Sequence, residues 1–170
     1  MSHDLSANAL GIDFGTSNST VGWWRAGVEP LLELEDGKIT LPSVVFFNTE
    51  ERRPVYGRQA LNEYLEGYEG RLMRSLKSLL GSPLLNESTV VNHQQLSFQQ
   101  IVEIFLAELR ERAAHTLGHA PKRVVMGRPV HFVDDDPVAD AEAQAPVFLG
   151  TEGRGDVLQT VVAARGAALL

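Results

Sequence analysis

The 170-residue sequence predicts a mixed α/β fold: an antiparallel meander beside a parallel strand, with helices packed against the sheet. Three observations lead there. Short apolar, β-rich runs separated by tight polar turns crowd residues 10–47. Residues 97–117 carry one apolar stripe at helical spacing between a capping signal and a glycine stop. Val124, Val125 and Met126 then read as a buried strand after that helix.

The elements follow in order. Leu10 and Ile12 lead into Asp13, Gly15 to Asn18 make a turn, and Val21 and Trp23 carry a second strand away. Gly27 allows another turn, Leu31 to Leu34 reads as a short strand, and Asp36-Gly37 marks a tight connection. Ser43 to Phe47 reads as a buried strand introduced by Pro42, because proline suits a strand's first position. Residues 58–66 are expected to be helical and to stop near Gly67. Leu72, Met73, Leu76, Leu79 and Leu80 recur at helical spacing among Arg71, Arg74 and Lys77, which predicts an amphipathic helix up to Gly81. Ser88 to Asn92 should form a hairpin with residues 94–96. Ser97 and Gln100 match a capping box, and Leu96 with Ile101 a hydrophobic staple. The helix they start buries Phe98, Ile101, Val102, Phe105, Leu109, Ala113 and Leu117, and Gly118 ends it. Pro129 closes the strand at 124–126, and Asp134-Asp-Asp-Pro-Val138 looks like a capped helix start, with the acids at the positive end of its dipole.

Composition narrows the function. A net charge of −7 argues against nucleic acid or an anionic membrane surface as a partner. With no cysteine there is no disulfide framework and no thiolate metal site. Residues 1–8 are polar and lack the basic flank and apolar core of a signal peptide, and no apolar run reaches bilayer length, so a cytoplasmic protein is expected. His131 has no second histidine or carboxylate at ligand spacing, which argues against zinc, and the acidic cluster at 134–136 lacks the oxygen spacing of a calcium loop.

The turn at Gly15 to Asn18 is where chemistry is most concentrated. Glycine lets a ligand approach the backbone, and Thr16, Ser17 and Asn18 add short polar side chains beside a row of peptide N–H groups. A carboxylate at the mouth, Asp13, makes sense beside phosphates mainly with a divalent cation between them. The competing reading is an ordinary hairpin whose small polar residues serve geometry alone. The turn has neither a Walker A lysine nor the G-x-G-x-x-G spacing.

Gly11-Ile-Asp-Phe-Gly-Thr-Ser-Asn-Ser19 resembles the first phosphate-binding segment of the seventy-kilodalton heat-shock chaperones (DnaK-type), a branch of the actin-like ATPase superfamily. Leu41-Pro-Ser-Val-Val45 and Val55-Tyr-Gly-Arg-Gln-Ala-Leu61 resemble that branch's next elements, the former as residues that pack rather than react. Lys77-Ser-Leu-Leu-Gly81 resembles its K-R-L-[IL]-G element, with Ser78 in place of the usual arginine. Gly-Arg-Pro-Val at 127–130 looks closer to the YegD-like side group, and His131 stands at a family aromatic position. The resemblance implies a first lobe of ribonuclease-H-like fold over residues 9–145, after a flexible N-terminus at 1–8. It implies ATP or ADP with Mg2+ as cofactors. Asp13 would act through magnesium-bound water, Gly15, Thr16, Ser17 and Asn18 would hold phosphate, and Lys77 would stabilise the terminal phosphate and attacking water. Unfolded client proteins and co-chaperones are the partners it implies.

Past residue 145 the pattern fails. Pro146 would break a helix, Gly150, Gly153 and Gly155 read as loop, and 157–170 as a short apolar helix. A divergent tail at 146–170, from a truncated or frame-shifted gene, is the expectation. The second phosphate element, the adenosine-binding segment and the peptide-binding domain of the family are not in this sequence. Because such ATPases hold nucleotide between two lobes, a loss of even ~4 kcal/mol of contact would weaken binding roughly a thousandfold. The sequence therefore reads as the ATP-binding lobe of a heat-shock-type chaperone with weak nucleotide binding and negligible hydrolysis. A lobe of another actin-like enzyme, such as a sugar kinase, and a nucleotide-independent scaffold are the alternatives.

Overall fold

The computed structural model describes residues 9–25 and 27–126, and the backbone of 147–150. Strand β1 (Leu10–Phe14) and β2 (Asn18–Trp23) form an antiparallel hairpin, and β3 (Thr40–Pro42) pairs antiparallel with β2. On the other side of β1 lies β9 (Arg123–Met126), parallel to it with Leu10 opposite Val124, and β10 (Val147–Gly150) pairs antiparallel with β9. The sheet order β10-β9-β1-β2-β3 places β1 at the centre, which is why Leu10, Ile12 and Phe14 are buried. A second sheet, β5-β4-β6, comprises β4 (Val45–Asn48), β5 (Arg53–Tyr56) and β6 (Gly70–Met73), and β7 (Ser88–Val91) with β8 (Gln94–Ser97) forms a separate hairpin. A mixed sheet with an antiparallel hairpin, a parallel strand and packed helices is the class anticipated from sequence, although the later strands of the meander differ.

Helix α2 (Phe98–Leu117) covers the central sheet. It buries Ile101, Val102, Phe105, Leu106, Leu109 and Ala113 among Leu10, Ile12, Phe14, Val21 and Val124. The Phe105 ring meets that of Phe14 with centroids 5.7 Å apart. Both halves of the capping box form: Ser97 Oγ accepts from Gln100 N at 3.1 Å, and Gln100 Oε1 accepts from Ser97 N at 2.8 Å. Gly118, at φ 76°, closes the other end. Ser97→Ala is expected to cost about 1 kcal/mol, read as a lower urea midpoint at unchanged slope.

Helix α1 (Gly57–Glu66) packs on the second sheet and ends at Gly67 in the left-handed region, as the sequence indicates. Its start is held from a distance. The Glu35 carboxylate accepts from Arg58 N at 3.0 Å and pairs with Arg58 Nη1 at 3.0 Å, an anion at the positive end of a helix dipole. Glu35 sits beside a two-residue turn at Asp36 (φ 50°) and Gly37 (φ 73°), a pair of positive dihedrals that a right-twisted hairpin favours. Asn92 (φ 48°) and His93 (φ 64°) turn the β7–β8 hairpin in the same way.

Four sequence readings are corrected. Leu31 to Leu34 is not a strand: only Leu31 forms a bridge, to Gly22, and the chain then leaves the sheet for the Asp36-Gly37 turn. Pro42 does not introduce the strand after it but ends β3, and β4 starts at Val45 in the other sheet. The segment 72–80 is not one amphipathic helix. Leu72 and Met73 belong to β6, paired with Phe46 and Val45, and only Leu76–Leu79 coils, as a 3₁₀ turn after Ser75 at φ 56°. Two apolar faces, one over each sheet, produce a helix-like spacing when read in line. Gly150 is a strand residue opposite Arg123, not loop. Readings on residues 1–8, on Gly127 to Val130, His131, Asp134 to Val138, Pro146, Gly153, Gly155 and residues 157–170 lie outside the described residues.

Candidate functional site

The turn joining β1 to β2 stands at the end of the central hairpin, where Phe14 faces Ser19 across the register. Alternation along β1 puts Ile12 and Phe14 into the core and turns Asp13 outward. Asp13, Thr16, Ser17 and Asn18 are all exposed. None of their side chains has a hydrogen-bond or ion-pair partner among the described residues. The N–H groups of Thr16 and Ser17 are likewise without a protein acceptor. A carboxylate, two hydroxyls, an amide and unpaired peptide donors therefore converge in sequence on an open surface above a packed floor.

The floor is rigid for identifiable reasons. Phe14 is buried against Phe105 immediately before the turn. Ser43, itself buried, donates its hydroxyl to Gly15 O at 2.8 Å and its backbone N–H to Ser17 O at 2.9 Å. Ser19, also buried, lies 2.9 Å from the Ser43 hydroxyl. Gly15 is required by a close approach: a Cβ there would stand 2.0 Å from the carbonyl oxygen of Asn18.

Lys77 sits half-buried on the 3₁₀ turn Leu76–Leu79. No hydrogen bond or ion pair joins its ammonium to the Gly15–Asn18 turn, nor does it have another side-chain partner among the described residues. Its neighbours Leu76 and Leu80 are buried in the same core as Ile12, Phe14 and Phe105, so both segments rest on α2. The structure thus brings Asp13 and Gly15 to Asn18 together in one turn and seats Lys77 on a separate element over the same helix.

Chemically, the turn suits an anion with several oxygens, since short polar side chains and peptide N–H groups are its donors. Among the described residues no cluster of three or more acidic, histidine or cysteine side chains could hold a metal. A divalent cation at Asp13 would be kept by one carboxylate, water and the ligand's own oxygens, which is how magnesium is commonly held. A cleft of about 490 Å³ between β5 and α2, lined by Pro54, Tyr56, Leu96 and Ile104, shares no residue with the turn. The turn is open surface. Ser43 and Ser19 were missed as site residues. A serine between Pro42 and the apolar run Val44 to Phe47 is the signal, because a buried hydroxyl needs a partner. No helix among the described residues is long and apolar enough to cross a membrane.

Residues 9–147 match the family model described as Hsp70 protein. The chain is similar to the chaperone protein DnaK of Metamycoplasma hominis, 29% identical over 143 residues, covering 84% of this chain and 22% of that one. The DnaK of Mycoplasmopsis agalactiae is 29% identical over 160 residues, 94% of this chain and 25% of its own length. That of Mesomycoplasma hyopneumoniae is 32% identical over 123 residues, 72% and 19%. The chain therefore spans a quarter or less of each of these relatives.

Proposed function

Since this chain belongs to the Hsp70 family, we propose that its β1–β2 hairpin is the phosphate-gripping edge of an ATP site, working in a chaperone that couples hydrolysis to the binding of unfolded proteins. The mixed sheet with α2 packed across it is the fold of the first lobe of an actin-like ATPase. The observation that carries the reading is the exposed, unpartnered set of Asp13, Thr16, Ser17 and Asn18 on a floor pinned by Phe105 and Ser43.

In this reading the peptide N–H groups and hydroxyls of Gly15 to Asn18 bind phosphate oxygens. Asp13 would hold a magnesium ion through water, and the ion would supply positive charge to the phosphates. Lys77 brings a compact positive charge to the terminal phosphate and the attacking water, where stabilising developing charge lowers the barrier. The Gly-Arg-Pro-Val run at 127–130 favours the YegD-like side group within the family. A cytoplasmic location, client proteins and co-chaperones belong to the same proposal.

The test is a thermal melt and calorimetry of the chain with magnesium-ATP. One lobe is expected to bind weakly, with a small rise in Tm that Asp13→Asn reduces, and with negligible turnover. An identical Tm with and without millimolar magnesium-ATP would favour a nucleotide-independent scaffold. Turnover that Lys77→Ala abolishes would show one lobe to be a more capable catalyst than proposed.

A further inference from the structure

We propose that Ser43 is a positioning residue that sets the direction of the peptide donors in the Gly15–Asn18 turn; the inference rests on the phosphate-binding reading of that turn. In a trans peptide the C=O and the following N–H lie in one plane and point in opposite directions. Holding a carbonyl therefore also aims the next N–H. Ser43 holds two carbonyls of the turn, Gly15 O through its hydroxyl at 2.8 Å and Ser17 O through its N–H at 2.9 Å. The N–H groups of Thr16 and Asn18 share those two planes and so point away from Ser43, and that of Thr16 has no acceptor among the described residues. An anion at the turn meets the Thr16 donor, while the carbonyl oxygens of Gly15 and Ser17 that would repel it are turned toward Ser43.

The hydroxyl chain has one direction. Gly15 O can only accept, so the Ser43 proton goes to it, and Ser43 Oγ in turn accepts from the hydroxyl of Ser19 at 2.9 Å. Each bond polarises the next, and both serines are buried, so water does not compete. Ser43 also sits just after Pro42, which faces Asn18 in the β2–β3 register, so β3 carries the clamp to the turn. None of this needs Ser43 to touch the ligand.

The experiment compares Ser43→Ala, Ser43→Thr and Ser19→Ala in the full chain by NMR, without ligand and then titrated with magnesium-ADP. In the parent chain the amides of Thr16 and Asn18 are expected to be rigid, with order parameters near 0.85. In Ser43→Ala the Thr16 amide should fall toward 0.6 or below, while that of Asn18, whose plane is held through the backbone N–H of residue 43, stays rigid. Affinity for magnesium-ADP should drop about tenfold, the effect of one lost hydrogen bond. Ser43→Thr, which keeps the hydroxyl, should restore both. Ser19→Ala removes a buried hydroxyl one bond away and leaves both bonds to the turn, so it should lower Tm without moving either readout. Unchanged order parameters and affinity in Ser43→Ala, whatever its Tm, would overturn the clamp while leaving the phosphate reading intact. A parent chain that shows the clamped turn yet no shift on adding magnesium-ADP would overturn the phosphate reading, and with it the purpose assigned to Ser43. Should Ser43→Ala not fold, Ser43→Thr against Ser19→Ala still decides. A Thr chain with a mobile turn and lost affinity overturns the inference, and one that matches the parent supports it.

Discussion

Gly15→Ala is expected to lower stability by about 3 kcal/mol and to remove any magnesium-ATP-dependent rise in Tm. The added Cβ would stand 2.0 Å from Asn18 O and 3.2 Å from the carbonyl carbon of Asn18. Both are backbone atoms, so no rotamer change relieves the clash, and the turn must open. Opening it pulls Gly15 O away from the Ser43 hydroxyl and strains the Phe14–Ser19 end of the hairpin. Overpacking a tight site costs about 1–3 kcal/mol, and stranding a buried polar group costs a further 1–3 or so. The check is a urea titration together with melts at increasing magnesium-ATP. A variant as stable as the parent, with the same ligand response, would show that the turn tolerates a different path and that its glycine is not a requirement of the site.

Glu63→Ala should cost about 3 kcal/mol at neutral pH, with the difference shrinking as the solution is acidified. Glu63 is buried on α1 and accepts from Asn48 Nδ2 at 2.8 Å, Arg53 Nη2 at 2.7 Å and Gln59 Nε2 at 3.2 Å. Burial is the largest single influence and pushes its carboxyl up. The hydrogen bond from Asn48, that from Arg53 with its positive charge, and that from Gln59 together outweigh it, leaving the carboxyl below its usual range. A folded-state value below the unfolded one means that the unfolded chain takes up the proton first. The stabilisation is therefore complete above the unfolded carboxyl's pKa, ordinarily 4.5, and is lost as pH falls through the folded value. Arg53 is 39% exposed, so water screens its share. Most of the loss is assigned to Asn48, fully buried and left without an acceptor for its amide. Urea titrations of parent and variant at pH 7 and pH 3 make the comparison. An equal gap at both would trace the loss to packing rather than to the ionised carboxylate.

Local chemistry made much of this molecule legible before any coordinates. Ser97 and Gln100 specify a helix start within three residues of each other, and Gly67 and Gly118 mark helix ends by a dihedral that other residues resist. Gly15 to Asn18 stands out as a candidate anion turn because the residue types that suit one are few and adjacent. The misread segments share a cause. Residues 72–80 look helical because Leu72 packs beside Val44 and Phe46 in one cluster, while Leu76 and Leu80 pack with Phe14 in another. A one-dimensional period cannot tell two surfaces from one. Pro42 failed similarly, since proline suits either end of an edge strand and only the partner strand decides which.

By itself, then, the sequence determined where α2 starts and where α1 and α2 stop, and it singled out one short polar segment as a candidate for an anion, since each depends on residues a few positions apart. Tertiary structure alone decided that Ser43 reaches back 28 residues to the carbonyl of Gly15, that Glu35 holds the start of α1, and that Glu63 binds Asn48 across 15 residues. Those contacts join polar groups far apart in sequence, and their strength comes from burial away from competing water, which exists only once the sheets and helices have closed over them.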